Sequence, residues 1–125
     1  MPSFAVEQYK NQAINSMTNG ELLVLLFDEA LKNLKTAVMM VEQNNKETFD
    51  KCTEKSKNIF NYLNSILDRK YTLSADLYKM YYFFNQEIIS AEIKYNSKPI
   101  EDIIPLIEDL RHTWAEANRL THIKN

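Results

Sequence analysis

Glu108, His112 and Glu116 follow one another at intervals of four and are the residues best spaced for chemistry in this chain. On a helix that spacing stacks an imidazole between two carboxylates, a set that can ligate zinc or move a proton. The same spacing is that of a solvated ion-pair ladder. Because charge pairs four apart are common on helix surfaces, we adopt the ladder and expect no metal. Di-iron bundles draw a Glu-x-x-His pair from each of two helices, and the chain contains no such pair. Cys52 falls on an apolar stripe, which suits a buried structural thiol better than a nucleophile. His122 stands close to the C-terminus, and a single glycine, Gly20, leaves nothing to build a phosphate loop. The residues thus point away from an enzyme and call for no cofactor.

The elements that would carry a function are helices. The chain has 125 residues, one glycine and three prolines, with Glu, Lys and Asp scattered among Leu, Ile and Tyr. That is one all-α domain with a single core. A net charge of −2 with both signs interspersed offers no footprint for nucleic acid and no basic face for a membrane surface. The longest apolar run, Leu22 to Phe27, is too short to span a bilayer or act as a secretion signal. A solitary cysteine excludes an internal disulfide and fits a reducing, cytoplasmic setting.

Periodicity predicts four bundle helices over residues 18–44, 45–70, 73–96 and 98–120. The first has its seam at Leu23, Phe27, Ala30, Leu34, Ala37 and Val41, in steps of four and three. Thr18 followed by Glu21 has capping-box spacing, and Asn44-Asn45 is a break in which one asparagine can end a helix left-handed and the next begin another. The second seam runs through Phe49, Cys52, Ser56, Ile59, Phe60, Leu63, Ile66 and Leu67, with Arg69 and Lys70 as cations at its end and Thr72 or Ser74 as the next cap. The third uses Leu77, Met80, Tyr81, Phe84, Ile88, Ala91 and Tyr95. The fourth uses Ile103, Ile107, Leu110, Trp114 and Ala117. Pro105 interrupts this last pattern and predicts a kink or a separate first turn, and the chain is expected to fray after Leu120. Short connections favour an antiparallel up-down four-helix bundle. Ahead of it, residues 1–17 carry a sparse stripe at Phe4, Val6, Tyr9, Ala13, Ile14 and Met17. Such a segment is either an ordinary first helix or a short, detachable N-terminal cap that is ordered only against a surface.

Two helices are greasier than a core requires. Leu22 and Leu25 lie in a run that points all round the first helix, and Tyr78, Tyr82, Phe83, Ile89 and Ile93 fall off the seam of the third. On pattern alone these spare strips serve equally a homodimer seam, a regulatory module that binds an amphipathic segment, or a groove for another chain.

The stretch Thr18-Asn19-Gly20-Glu21-Leu22-Leu23-Val24-Leu25-Leu26-Phe27-Asp28-Glu29-Ala30-Leu31 closely resembles the flagellin-specific export chaperones of bacteria, the FliS family. The family's signature there reads Ser/Thr-Pro-x-Glu-Leu, three apolar residues, then Leu-Tyr-Asp-Gly-Ala. Downstream, Leu77-Tyr78, Phe84-Asn85, Ala91-Glu92 and Leu110-Arg111-His112-Thr113-Trp114 are similar to further pieces of the pattern. Asn19 departs from the usual proline, Phe27 from tyrosine and Glu29 from glycine, and Pro105 is outside the pattern. The resemblance implies a chaperone of the bacterial cytosol. It would hold the disordered C-terminal segment of flagellin, prevent premature polymerisation and assist delivery to the flagellar export apparatus, with a further contact to the cytosolic part of the export gate. The client would lie on Leu22, Leu25, Tyr78, Tyr82, Phe83, Ile89 and Ile93, with Phe4, Tyr9 and Ile14 as the flap. The chaperone itself would be a monomer or weak homodimer.

Overall fold

Four apolar stripes at helical spacing need one another, since each can leave water only against the others. The structure, a computed structural model, describes residues 19–124, with side chains placed from 20 to 120. The N-terminal stripe of Phe4, Tyr9 and Ile14, and the Thr18 cap, lie outside the described residues. Helices α1 (Asn19–Glu42), α2 (Lys46–Ser65), α3 (Thr72–Lys94) and α4 (Lys98–Lys124) follow in order. Each packs beside its neighbour in sequence, and α1 also packs beside α4, which closes the ring of an all-α up-down bundle. Helices α1 and α3 therefore stand at opposite corners, as do α2 and α4.

The connections show local chemistry at work. Asn44 adopts a left-handed backbone at φ 54°, and the Asn45 side chain accepts the Thr48 N–H at 3.2 Å, so the pair divides its roles as the sequence suggests. At the same end of the bundle Tyr95 closes α3 at φ 47°, a conformation a bulky residue rarely takes. Its ring sits edge-on to Phe49 at 5.3 Å, and this packing holds the strained turn in place.

At the opposite end α2 stops at Ser65, short of Lys70. Asp68 is the reason. Its carboxylate accepts the Lys70 N–H at 3.0 Å, and its carbonyl accepts the Tyr71 N–H and the Ser74 hydroxyl, which together fold a compact turn. Ser74 is thus spent on the turn and does not cap α3, whose first turn has no side-chain cap from Tyr71. Arg69, freed from a helix end, lies 5.5 Å over the Tyr78 ring. In α4, Pro105 sits inside an unbroken helix that continues to Lys124, with neither a separate first turn nor an end at Leu120. Both Pro105 and Glu101, whose carbonyl loses its donor, are exposed, so water can take the missing partner's place.

The core is aromatic at its centre. Tyr81 of α3 reaches Phe27 across the bundle at 6.3 Å and Phe60 of α2 at 6.1 Å, and Phe60 meets Phe84 at 5.2 Å. All four residues are buried, with Leu34 and the small Ala30 and Ala37 of α1 buried beside them. Ile100, outside the predicted seam, is buried in α4, whereas Ile66 is exposed because α2 has already ended.

Burial pushes the Tyr81 phenol up to about 12. The folded state therefore resists an ionisation that the unfolded chain undergoes near pH 10. Stability from this group is complete below pH 10 and declines as pH rises from 10 to about 12, at roughly 1.4 kcal/mol per pH unit. Urea titrations across that range should show the decline in the parent and lose most of it in Tyr81→Phe. An identical alkaline profile in both would refute the assignment.

Candidate functional site

With the core face of α3 given to Leu77, Tyr81, Phe84, Ile88 and Ala91, the rest of the helix follows from 100° per residue. Tyr78, Tyr82, Ile89 and Ile93 fall on one flank, and Asn85 and Glu92 lie between that flank and the core. Asn85 and Glu92 both bond to α2, so the strip runs along the α2 side of α3. Tyr82 is 54% exposed and Ile93 79%, with Tyr78 also exposed and Ile89 half-buried. Tyr78 and Tyr82 stack at 6.5 Å with their planes 14° apart. A shallow depression between Ile89 and Ile93, edged by Gln86, Ser90 and Lys94, extends the surface toward the end of the helix.

The other expected residues are elsewhere. Phe83, 44% exposed, lies on the opposite flank of α3, away from α2, with its ring 6.1 Å from Phe84. Leu22 and Leu25 are half-buried on α1, at the corner diagonal to α3. The seven residues therefore do not form one groove. Four make a continuous strip, one belongs to the α3–α4 side and two belong to α1.

The polar border of the strip is a feature that periodicity did not reveal. Glu92 accepts from Thr53 at 2.8 Å and from Lys57 at 2.9 Å, and Lys57 also pairs with Glu54 at 3.4 Å. The hydrogen bond to Glu92 raises the Lys57 ammonium above its ordinary value, against the opposing effect of burial. One to two turns along, the Asn85 amide donates to the Lys57 carbonyl at 3.3 Å and to Asn61 at 3.0 Å. Two buried amide oxygens on this seam, Asn64 Oδ1 and Asn85 Oδ1, have no hydrogen-bond partner among the described residues. The signal was present as an asparagine embedded in the spacing 78, 82, 85, 89.

Helices α1 and α4 are joined differently. Arg111 binds Asp28 through two contacts at 2.9 and 3.2 Å, and Lys35 reaches Glu108 at 3.4 Å. A Cβ on Gly20 would come within 2.5 Å of Asn118 Oδ1, so α1 starts tight against α4. The carboxylates that flank His112 in sequence are engaged by other cations, Glu108 by Lys35 and Glu116 by Arg119. The Arg119 hydrogen bond lowers the Glu116 carboxyl, and His112 adds a smaller effect of the same sign. The pairs on this face are therefore Lys35 with Glu108 and Arg119 with Glu116, in place of the ladder through His112 that the spacing suggested. No grouping of His, Cys, Asp and Glu suited to a metal occurs among the described residues. Cys52 is buried, and that burial raises its thiol. No helix among the described residues is long and apolar enough to cross a membrane.

Among the described residues the bundle leaves an amphipathic strip exposed along α3. The chain belongs to the family described as Flagellar protein FliS, whose sequence profile it matches over residues 2–121. It is 28% identical over 109 residues to the Flagellar secretion chaperone FliS of Bacillus subtilis (strain 168), which covers 87% of this chain and 82% of that protein. The Flagellar secretion chaperone FliS of Escherichia coli (strain K12) is 25% identical over 108 residues, 84% of this chain and 79% of its own.

The strip should be separable from the fold. Changing Tyr82 and Ile93 together to Ser is expected to move unfolding stability by no more than about 0.5 kcal/mol per site, as for other exposed positions. Phe84→Ala, two residues from Tyr82 but in the core, should cost about 3–5 kcal/mol. Urea unfolding of the two variants checks this, and comparable losses would mean that the strip is structural.

Proposed function

We propose that this protein is a cytosolic flagellar secretion chaperone whose client is the C-terminal segment of flagellin. The observation that carries the reading is the strip of Tyr78, Tyr82, Ile89 and Ile93 beside a polar seam, in a chain of the FliS family. A segment that will pack as helices in a filament is amphipathic and needs an apolar surface in place of its future neighbours. The strip offers that face, and Asn61, Asn85 and Lys57 offer a polar edge along one side. Ordering a disordered client consumes about 2–5 kcal/mol, so useful affinity requires a long contact, on the order of 1,600 Å² in total. The surfaces around Phe83 and around Leu22 and Leu25 give the client further faces to reach as it wraps the bundle. Release to the cytosolic part of the export gate is the second half of the proposal.

Mixing purified chaperone with a synthetic flagellin C-terminal peptide should give a one-to-one complex in size-exclusion chromatography. In calorimetry the Tyr82→Ser, Ile93→Ser double variant should bind at least tenfold more weakly, about 1.4 kcal/mol. A stable homodimer that ignores the peptide would favour the dimer seam instead.

The N-terminal stripe completes the proposal. Phe4, Tyr9 and Ile14 are read as a detachable cover for the apolar surface at Leu22 and Leu25, which the client displaces. A cover competes with the client, so apparent affinity falls by the fraction of molecules that are open. Deleting residues 2–16 should therefore raise ANS fluorescence and leave peptide affinity equal or stronger. Lost binding in a deletion variant that keeps its helical signal would instead make the segment part of the client site.

A further inference from the structure

The Asn85 amide is nine-tenths buried and its orientation is fixed. Its nitrogen donates to the Lys57 carbonyl and to Asn61 Oδ1, so its oxygen is the end left without a partner. Reversing the amide would set its oxygen against the fixed Lys57 carbonyl oxygen. An unpaired buried acceptor is unfavourable in the free protein and becomes favourable on meeting a donor. Asn85 is also in register with the exposed strip, three residues after Tyr82 and four before Ile89. Asn64 Oδ1, on the facing helix, is a second unpartnered acceptor of the same seam.

An apolar strip alone cannot fix the register of a helix laid on it, because a shift by one turn presents another set of similar side chains. A single buried polar residue can, as a lone asparagine does in a coiled-coil seam, by penalising every register that leaves it unpaired. We propose that Asn85 is the register-setting residue for the docked client: its Oδ1 accepts a hydrogen bond from one donor side chain, of Asn, Gln, Lys, Arg, Ser or Thr, on the apolar face of that segment. The inference rests on the client reading given above. The seam offers acceptors, so a carboxylate at the matching client position is rejected and an amide or cation is favoured. The side chains over the seam shift to admit the donor. Tyr82, 54% exposed on two rotatable bonds, precedes Asn85 by three residues on the same helix.

The test is a double-mutant cycle by calorimetry between full-length chaperone and the flagellin C-terminal peptide. Asn85→Leu keeps the branched side-chain outline and removes the acceptor, with Asn85→Ala as the second variant should Leu disturb the fold. Thermal melts report folding independently. Parent chaperone that fails to bind the peptide refutes the client reading itself. Given parent binding, Asn85→Leu is expected to melt at or above the parent temperature and bind at least tenfold more weakly. Replacing each polar client residue in turn by Ala should identify one position whose loss matches that effect and adds nothing to it in the Asn85 variant. Asp at that position should weaken binding to the parent further. Undiminished binding by folded Asn85→Leu or Asn85→Ala, or full additivity at every client position, overturns the proposal, since a merely structural asparagine would not couple to one client residue.

Discussion

Tyr81 touches Phe27 on the far corner of the bundle and Phe60 on the adjacent helix, and this contact of three helices fixes how α3 is turned. Once that ring occupies the centre, helical geometry assigns every other side chain of α3 to a flank. Ile88 and Ala91 go inward, Asn85 and Glu92 meet α2, and Tyr78, Tyr82 and Ile93 are left exposed with Ile89 half-buried between them. The exposed strip is therefore a consequence of the core. Turning α3 to bury the strip would withdraw Tyr81 and Phe84 from the aromatic cluster, where burying each such ring is a gain of several kcal/mol.

The two sides of the bundle are held by different interactions. On the α1–α4 side Gly20 permits close approach and Asp28 grips Arg111 with two hydrogen bonds. On the α2–α3 side a polar seam of Thr53, Lys57, Asn61, Asn85 and Glu92 borders the apolar contacts of Phe60 with Tyr81 and Phe84. Lys57 and Glu92 are each about one-fifth exposed, and partly desolvated pairs of this kind add little net stability while penalising wrong alignments. The seam specifies where α3 sits without covering the strip beside it.

Much of this was legible from residue spacing. The buried stripe of α1, the role of Asn44 and Asn45, and the existence of spare apolar residues on α3 all follow from period and local propensity. The end of α2 was not, because Ile66 and Leu67 continue the apolar pattern past the point where Asp68 folds the turn by hydrogen bonding. The division of the spare residues was half-legible. Rotation per residue separates Phe83 from Tyr78 and Tyr82, but the flank facing α2 depends on the handedness of the bundle, which no sequence period encodes. Apolar surplus alone groups Leu22 and Leu25 with α3, although four helices in an up-down ring of either hand put α1 and α3 at opposite corners.

A protein that keeps an apolar strip uncovered must also keep it from sticking to itself, and the residue choice on α3 serves that need. A helix has no unpaired backbone along its length, so its exposure invites side-chain contact only, unlike a sheet edge that also offers hydrogen bonds to any passing chain. Two of the four strip residues are tyrosines, whose hydroxyls stay hydrated while the rings remain available. The two rings lie nearly parallel at 6.5 Å, and Arg69 lies over the ring of Tyr78 and brings a charge to the end of the strip. Within the strip the exposed aliphatic residue is Ile93, beside the cation Lys94 at the other end of the helix. Charged ends with an adaptable aromatic middle let the surface remain wet when empty and still bury area when occupied, which a continuous aliphatic stripe could not do without associating first with its own kind.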